Sequence, residues 1–134
     1  MRIFIDSNVP MYVAGKAHPN REPARRLLER VQQGSVDACT STEVLQEILY
    51  RYSALGRIDL ARAVYDSFVE LCPVVLDITL ADTDKARDLL GSVKDVSSRD
   101  AIHAAVMLNH GITSIATFDA DFDRIRGIRR LRMR

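Results

Sequence analysis

Short apolar runs that stop on a polar turn residue, alternating with stretches of helical spacing, constrain this chain more than any other feature. Ile3-Phe4-Ile5 is closed by Asp6-Ser7-Asn8, and Ile115-Ala116-Thr117-Phe118 is closed by Asp119. Such runs read as buried strands ended by turn formers. Between them, Ala24, Leu27, Leu28 and Val31 recur at helical spacing after Pro23 in a first turn, and Gly34 stops that helix. A short helix over Val9–Ala14 precedes it, before the break at His18-Pro19-Asn20.

The alternation continues. Val36–Thr40 predicts a second strand, and Ser41 or Thr42 caps a helix whose apolar face is Val44, Leu45, Ile48, Leu49 and Tyr52. Beyond Gly56 a helix is predicted over Ile58–Leu71, then a third strand over Val74–Ile78 and a helix over Ala81–Leu90. A Ser- and Asp-rich loop leads to a helix over Arg99–Asn109, a fourth strand over Thr113–Thr117, and a short fifth over Ile128–Met133. Strands alternating with helices imply an α/β fold with a parallel or mostly parallel sheet covered on both sides. Ligands of such open sheets bind beyond the carboxyl ends of strands, where strand order reverses. Asp6 and Asp119 occupy ends of that kind.

With 134 residues, 47% of them hydrophobic, the chain suits one domain, over residues 1–134, with its own core. No apolar stretch approaches the ~18–20 residues that a membrane span needs. Asp6 interrupts the N-terminal apolar run too early for a signal peptide, so the sequence reads as cytosolic. Cys39 and Cys72 lack the spacing of a metal or redox motif and read as reduced packing residues. The net charge of +1 is unevenly placed. Six arginines (124, 126, 129, 130, 132 and 134) follow Asp123 with no acid among them, leaving the rest of the chain at −5. Bulk charge does not mark a nucleic-acid binder, but a local patch of this kind does suit phosphate.

The acids carry the chemistry. Asp6, Glu47, Asp100 and Asp119 each sit at the end of an apolar run or near the start of a helix. Brought together, they form an all-oxygen pocket that has to recruit divalent cations, protons or basic side chains. Each also has a simpler reading. Asp6 serves equally as an N-cap, and Asp100 stands three residues after Ser97, at capping-box spacing. Glu43 competes with Glu47 from one helical turn away, though Glu47 lies deeper, between Leu45 and Ile48-Leu49. His103 reads as packing or surface rather than as a ligand. Asp119, Asp121 and Asp123 lack the Gly and terminal Glu of an EF-hand loop; Asp119 is the first ligand candidate, Asp121 the second, and Asp123 reads as solvated.

Taken in order, Ile5-Asp6-Ser7-Asn8, the segment Ser41 to Glu47, Asp100-Ala101-Ile102-His103-Ala104-Ala105, and Ala116-Thr117-Phe118-Asp119-Ala120-Asp121-Phe122 resemble a PIN domain. The resemblance is specifically to the ribonuclease toxins of VapBC toxin–antitoxin pairs, and it covers nearly the whole chain. It implies a three-layer α/β/α sandwich around a mostly parallel sheet of four to five strands. It also implies an acidic quartet at Asp6, Glu47, Asp100 and Asp119 with Asp121 as an optional fifth, and polar helpers at Asn8 and Thr117. Mg²⁺ or Mn²⁺ as cofactor, hydrolysis of RNA to leave a 5′ phosphate, a homodimer and an antitoxin partner follow from the resemblance alone.

RNA requires positive charge near four repelling acids. Sixteen of the 19 basic residues are arginine, the side chain best shaped for phosphate. The C-terminal arginines, Arg124 and Arg126 among them, and the group Arg21, Arg25 and Arg26 are the candidates. Two rivals remain. A Mg²⁺-dependent phosphoacceptor domain would want adjacent early acids and a late lysine at a strand end, whereas the last lysine here, Lys94, precedes the fourth strand. A PIN-like module that binds RNA or a partner without cutting would have little reason to keep four costly carboxylates together.

Overall fold

The computed structural model describes residues 1–134. Five strands, β1 (Arg2–Ile5), β2 (Asp37–Ser41), β3 (Val74–Leu76), β4 (Ser114–Ala116) and β5 (Arg129–Arg130), form one sheet in the order β3-β2-β1-β4-β5. Every pairing is parallel. The sheet is thus wholly parallel, and strand order reverses between β1 and β4.

Crossovers follow from that order. Helices α1 (Asn8–Ala14) and α2 (Arg21–Gln32) join β1 to β2, and α3 (Thr42–Ala54) and α4 (Ile58–Leu71) join β2 to β3. Helices α5 (Leu80–Ser92) and α6 (Ser98–Asn109) carry the chain back across the sheet to β4. Because parallel crossovers are right-handed, the reversal of direction puts α5 and α6 on the face opposite the other helices. Three layers result, as the resemblance implies. Ile3, Phe4 and Ile5 are all buried, as a central strand covered on both faces requires.

Most element ends shift by a residue or two from the sequence reading, and three departures have a local reason. The third strand ends at Leu76 rather than Ile78, because the Ile78 N–H turns away to donate to Thr42 Oγ1 (3.1 Å). The fifth strand pairs over only two residues, with the Leu131 N–H adding one bond to the Ile115 carbonyl (2.7 Å). A 3-10 helix over Ala120–Arg124 follows β4, capped by Asp119, whose Oδ1 accepts from the Asp121 N–H (2.9 Å). Gly34 stands at φ +75° just past α2, where a side chain would be strained.

Candidate active site

Asp6 is fixed first. It ends β1, its N–H donating to the Ala116 carbonyl of β4 (3.0 Å), so the carboxylate emerges where the strand order reverses. The residue is 5% exposed. Its Oδ1 accepts from the Ser7 N–H (2.7 Å), and its Oδ2 accepts from Thr117 Oγ1 (2.7 Å) and more loosely from Asn8 Nδ2 (3.4 Å). Asn8 Nδ2 also donates to Thr117 Oγ1 (3.1 Å), and Thr117 in turn accepts from the Asp119 N–H (3.0 Å). Asn8 and Thr117 therefore tie the two strand ends together around one carboxylate. The capping alternative for Asp6 does not hold, since α1 has no side-chain cap bond.

Glu47 arrives from α3. The Ser7 hydroxyl lies 3.1 Å from its Oε2 and 3.4 Å from Asp6 Oδ1, and its Oε1 is hydrogen-bonded to His103 Nε2. Glu43 makes no such bond, and it is Glu47 that joins the cluster. Asp100 sits in the first turn of α6. The Ser97 side chain accepts from the Asp100 N–H (3.1 Å), so Ser97 does the capping and the Asp100 carboxylate is left to face the other acids. Two trios result, Asp6–Glu47–His103 and Asp100–Asp119–Asp121, each with ligand atoms within 4.8 Å of one another.

The four predicted acids thus converge with Asp121, while Asp123 lies outside, held by Arg130 through two bonds of 2.9 Å rather than solvated alone. Arg124 is engaged by Asp121 and also reaches the Asp95 carbonyl (3.4 Å). Arg126 is exposed.

Electrostatics reflects the crowding. Burial, followed by the charges of Asp6 and Asp119, pushes the Asp100 carboxyl up to about 7. Burial also raises Asp6, against the opposing pull of His103 and Thr117. For Glu47 burial works upward too, but the hydrogen bond and charge of His103, with Ser7 and Arg99, hold it below its ordinary value. His103 is the counterpart: burial works against its imidazolium, yet Glu47, Asp6 and Asp100 together raise it.

His103 is the residue that the sequence reading undervalued. It is fully buried, its Nε2 3.7 Å from Asp6 Oδ1, with its ring between Phe4 (5.7 Å) and Phe122 (6.4 Å). The available signal was the buried face Ala101, Ala104, Ala105, which lets α6 approach closely and turns residue 103 inward. Ser7 was passed over as a turn former. His103→Ala leaves Glu47 and Asp6 without their buried cation and opens a cavity, so urea unfolding should show a loss of about 2–4 kcal/mol. His103→Gln, which keeps a donor, should lose less than half of that.

Other chemistries find no purchase. Burial pushes the Cys39 thiol up to about 12 and Cys72 up to about 11, so neither supplies a thiolate near neutral pH. The oxygen-rich donor set, crowded enough to drive one carboxyl up to about 7, fits a hard divalent cation.

Comparison with known proteins agrees with this geometry. The PIN domain family model matches residues 3–128. Ribonuclease VapC13 of Mycobacterium tuberculosis is 43% identical over 129 residues, covering 96% of this chain and 98% of the relative. Among solved structures, VapBC2 from Rickettsia felis, bound to a DNA fragment from its promoter, superposes with a TM-score of 0.77 at 18% identity and 98% coverage of both chains. A toxin–antitoxin complex from Klebsiella pneumoniae superposes with a TM-score of 0.66 at 18% identity and 95% coverage of both chains. The acidic cleft at the strand reversal thus sits in a chain that belongs to the PIN-domain family and, within it, to the VapC ribonucleases.

Proposed function

We propose that this chain is the toxin of a type II toxin–antitoxin pair, an endoribonuclease that hydrolyses RNA phosphodiester bonds with Mg²⁺ or Mn²⁺ held by its acidic cleft. The observation that carries the reading is the convergence of Asp6, Glu47, Asp100, Asp119 and Asp121 from four separate parts of the fold. Asp6 and Asp100 would be the central ligands, with Glu47, Asp119 and Asp121 completing the set. A bound divalent ion supplies a more acidic water and screens the charge of the phosphate.

The chain's own residues supply the positioning. Ser7, Asn8 and Thr117 fix both oxygens of Asp6, so that carboxylate meets its ligand already oriented. Arg99, 3.9 Å from Glu47 and stacked over the Tyr50 ring at 5.7 Å, places a cation at the rim, where an incoming phosphate passes. The first test is cleavage of a mixed RNA pool. Activity should require Mg²⁺ or Mn²⁺ and disappear with EDTA, and metal-independent cleavage would refute the reading.

Partners belong to the same proposal. An apolar groove of about 370 Å³ between α1, α2 and α4, lined by Pro10, Val13, Leu28, Leu60, Phe68 and Leu71, suits the apolar face of an antitoxin helix. Exposed Leu49, Tyr50, Leu55 and Ile58 along α3 and the start of α4 suit a homodimer. Light scattering should then return twice the 15.1 kDa mass of the chain. No helix is long and apolar enough to cross a membrane, and a cytosolic setting, where RNA is met, fits the proposed substrate.

A further inference from the structure

The arginines of this chain fall into two groups. Eight are tied to acids, among them Arg25 to Glu22 and Glu29, Arg124 to Asp121, and Arg130 to Asp123. Such pairs are local surface contacts whose cation is already partly neutralised. The arginines without an acidic partner are not spread evenly. Three of them, Arg30, Arg132 and Arg134, line one groove of about 220 Å³ between α2 and the C-terminal segment, beside Arg26, whose contact with Glu22 is 3.6 Å. No acid lines that groove.

Its position connects it to the acidic cleft. β5 runs parallel to β4, so the residues after Arg130 lie beyond the same strand ends as Asp6 and Asp119. A second depression, lined by Thr117, Phe118, Arg129 and the Asp123–Arg130 pair, shares Leu131, Arg132 and Met133 with the groove. Thr117 is the residue that donates to Asp6. The two depressions therefore run together, from Thr117 beside the acid cluster, past Phe118 and Arg132, to Arg30 and Arg134.

We infer that this groove binds the sugar–phosphate backbone of the RNA strand on one side of the scissile phosphate. The inference rests on the ribonuclease reading and adds where the strand runs. Four acids repel a polyanion, and unneutralised guanidinium groups a short distance along the same surface offset that repulsion by phosphate contacts carrying no base information. Arg124, engaged by Asp121, is not part of this path.

The test separates binding from cleavage. In an Asp6→Asn background, the affinity for a fluorescein-labelled single-stranded RNA of about 20 nucleotides is measured by anisotropy across a salt series. Arg30→Gln/Arg132→Gln/Arg134→Gln should raise Kd at least about tenfold. It should also reduce the magnitude of the slope of log K against log salt by roughly 2, three contacts at about 0.7 each. The corresponding triple Lys variant should retain most of the slope, and a control triple on other faces, Arg57→Gln/Arg62→Gln/Arg87→Gln, should bind like its parent. With Asp6 intact, the Gln triple should raise KM for the same RNA while leaving kcat within about twofold. An unchanged slope in the Gln triple would overturn the inference and leave the arginines to a protein partner, as would an equal loss in the control triple. Neither result touches the ribonuclease reading, which fails only if the unsubstituted protein shows no metal-dependent cleavage.

Discussion

Asp6→Asn and Asp100→Asn are each expected to lower metal-dependent RNA cleavage by on the order of a thousandfold, about 4 kcal/mol of lost barrier reduction, without unfolding the protein. Asn keeps the shape of Asp but removes the charge, and at position 6 its one carbonyl oxygen can still accept from Ser7 or from Thr117, though not from both. The negative charge and one accepted hydrogen bond are withdrawn, a loss small beside the stability of a folded domain. Far-ultraviolet circular dichroism checks the fold, and initial rates on a defined RNA at saturating Mg²⁺ check the activity. Asp123→Asn provides the contrast, because Asp123 lies outside the cluster against Arg130, and its cleavage rate should stay within about twofold of the parent. Full activity in both cluster variants would remove the site assignment.

Without metal, Asp100→Asn should be more stable than the parent at pH 8, and the parent should lose stability as pH rises. The direction follows from linkage. Asp100 is raised from 3.8 to about 7 in the folded protein, so below pH 4 it is protonated folded or unfolded and contributes nothing. Between pH 4 and 7 the unfolded chain releases this proton while the folded chain retains it, and ionising it in place above pH 7 is the cost. A displacement of this size corresponds to about 4 kcal/mol undiscounted, and solvent screening of a half-buried carboxyl brings the expected effect to about 1–2 kcal/mol.

His103 acts in the same sense. Its raised imidazolium stabilises the fold fully below pH 6.5, and that contribution is lost as pH climbs through the folded value. Glu47, held low, works the other way, but only around and below its ordinary 4.5. Thermal melts of metal-free protein from pH 5 to 8 should therefore decline for the parent and decline less steeply for Asp100→Asn, with the variant ahead by roughly 3–8 °C at pH 8. Saturating Mg²⁺ should restore the parent and not the variant, since binding to the folded state alone stabilises it. A parent whose melting temperature rises steadily over that range would contradict the crowding of charge.

Legibility in the sequence followed the physics. Strands of a fully covered parallel sheet are continuous apolar runs, and Ile3-Phe4-Ile5 with its closing Asp6 could be read without any partner in view. Glu47 over Glu43 was legible from the apolar residues around it. What remained hidden depends on distant contacts. That the third strand stops at Leu76 is decided by Thr42, far away in sequence. The alanines of α6 mark residue 103 as inward, but that its partner is Glu47 is decided by where α3 lies, 56 residues away in sequence. The division of arginines into paired and unpaired is likewise invisible until Asp121 and Asp123 are seen to hold Arg124 and Arg130.

The ring of His103 has one nitrogen on the carboxylates and the other, Nδ1, enclosed with no partner. His18 and His110, the other two imidazoles, are exposed. In nitrogen-detected magnetic resonance, proton exchange with solvent should broaden those two while sparing the sheltered ring. A chain with no tryptophan to report by fluorescence thus carries a native spectroscopic probe against the carboxylates of its acidic cleft.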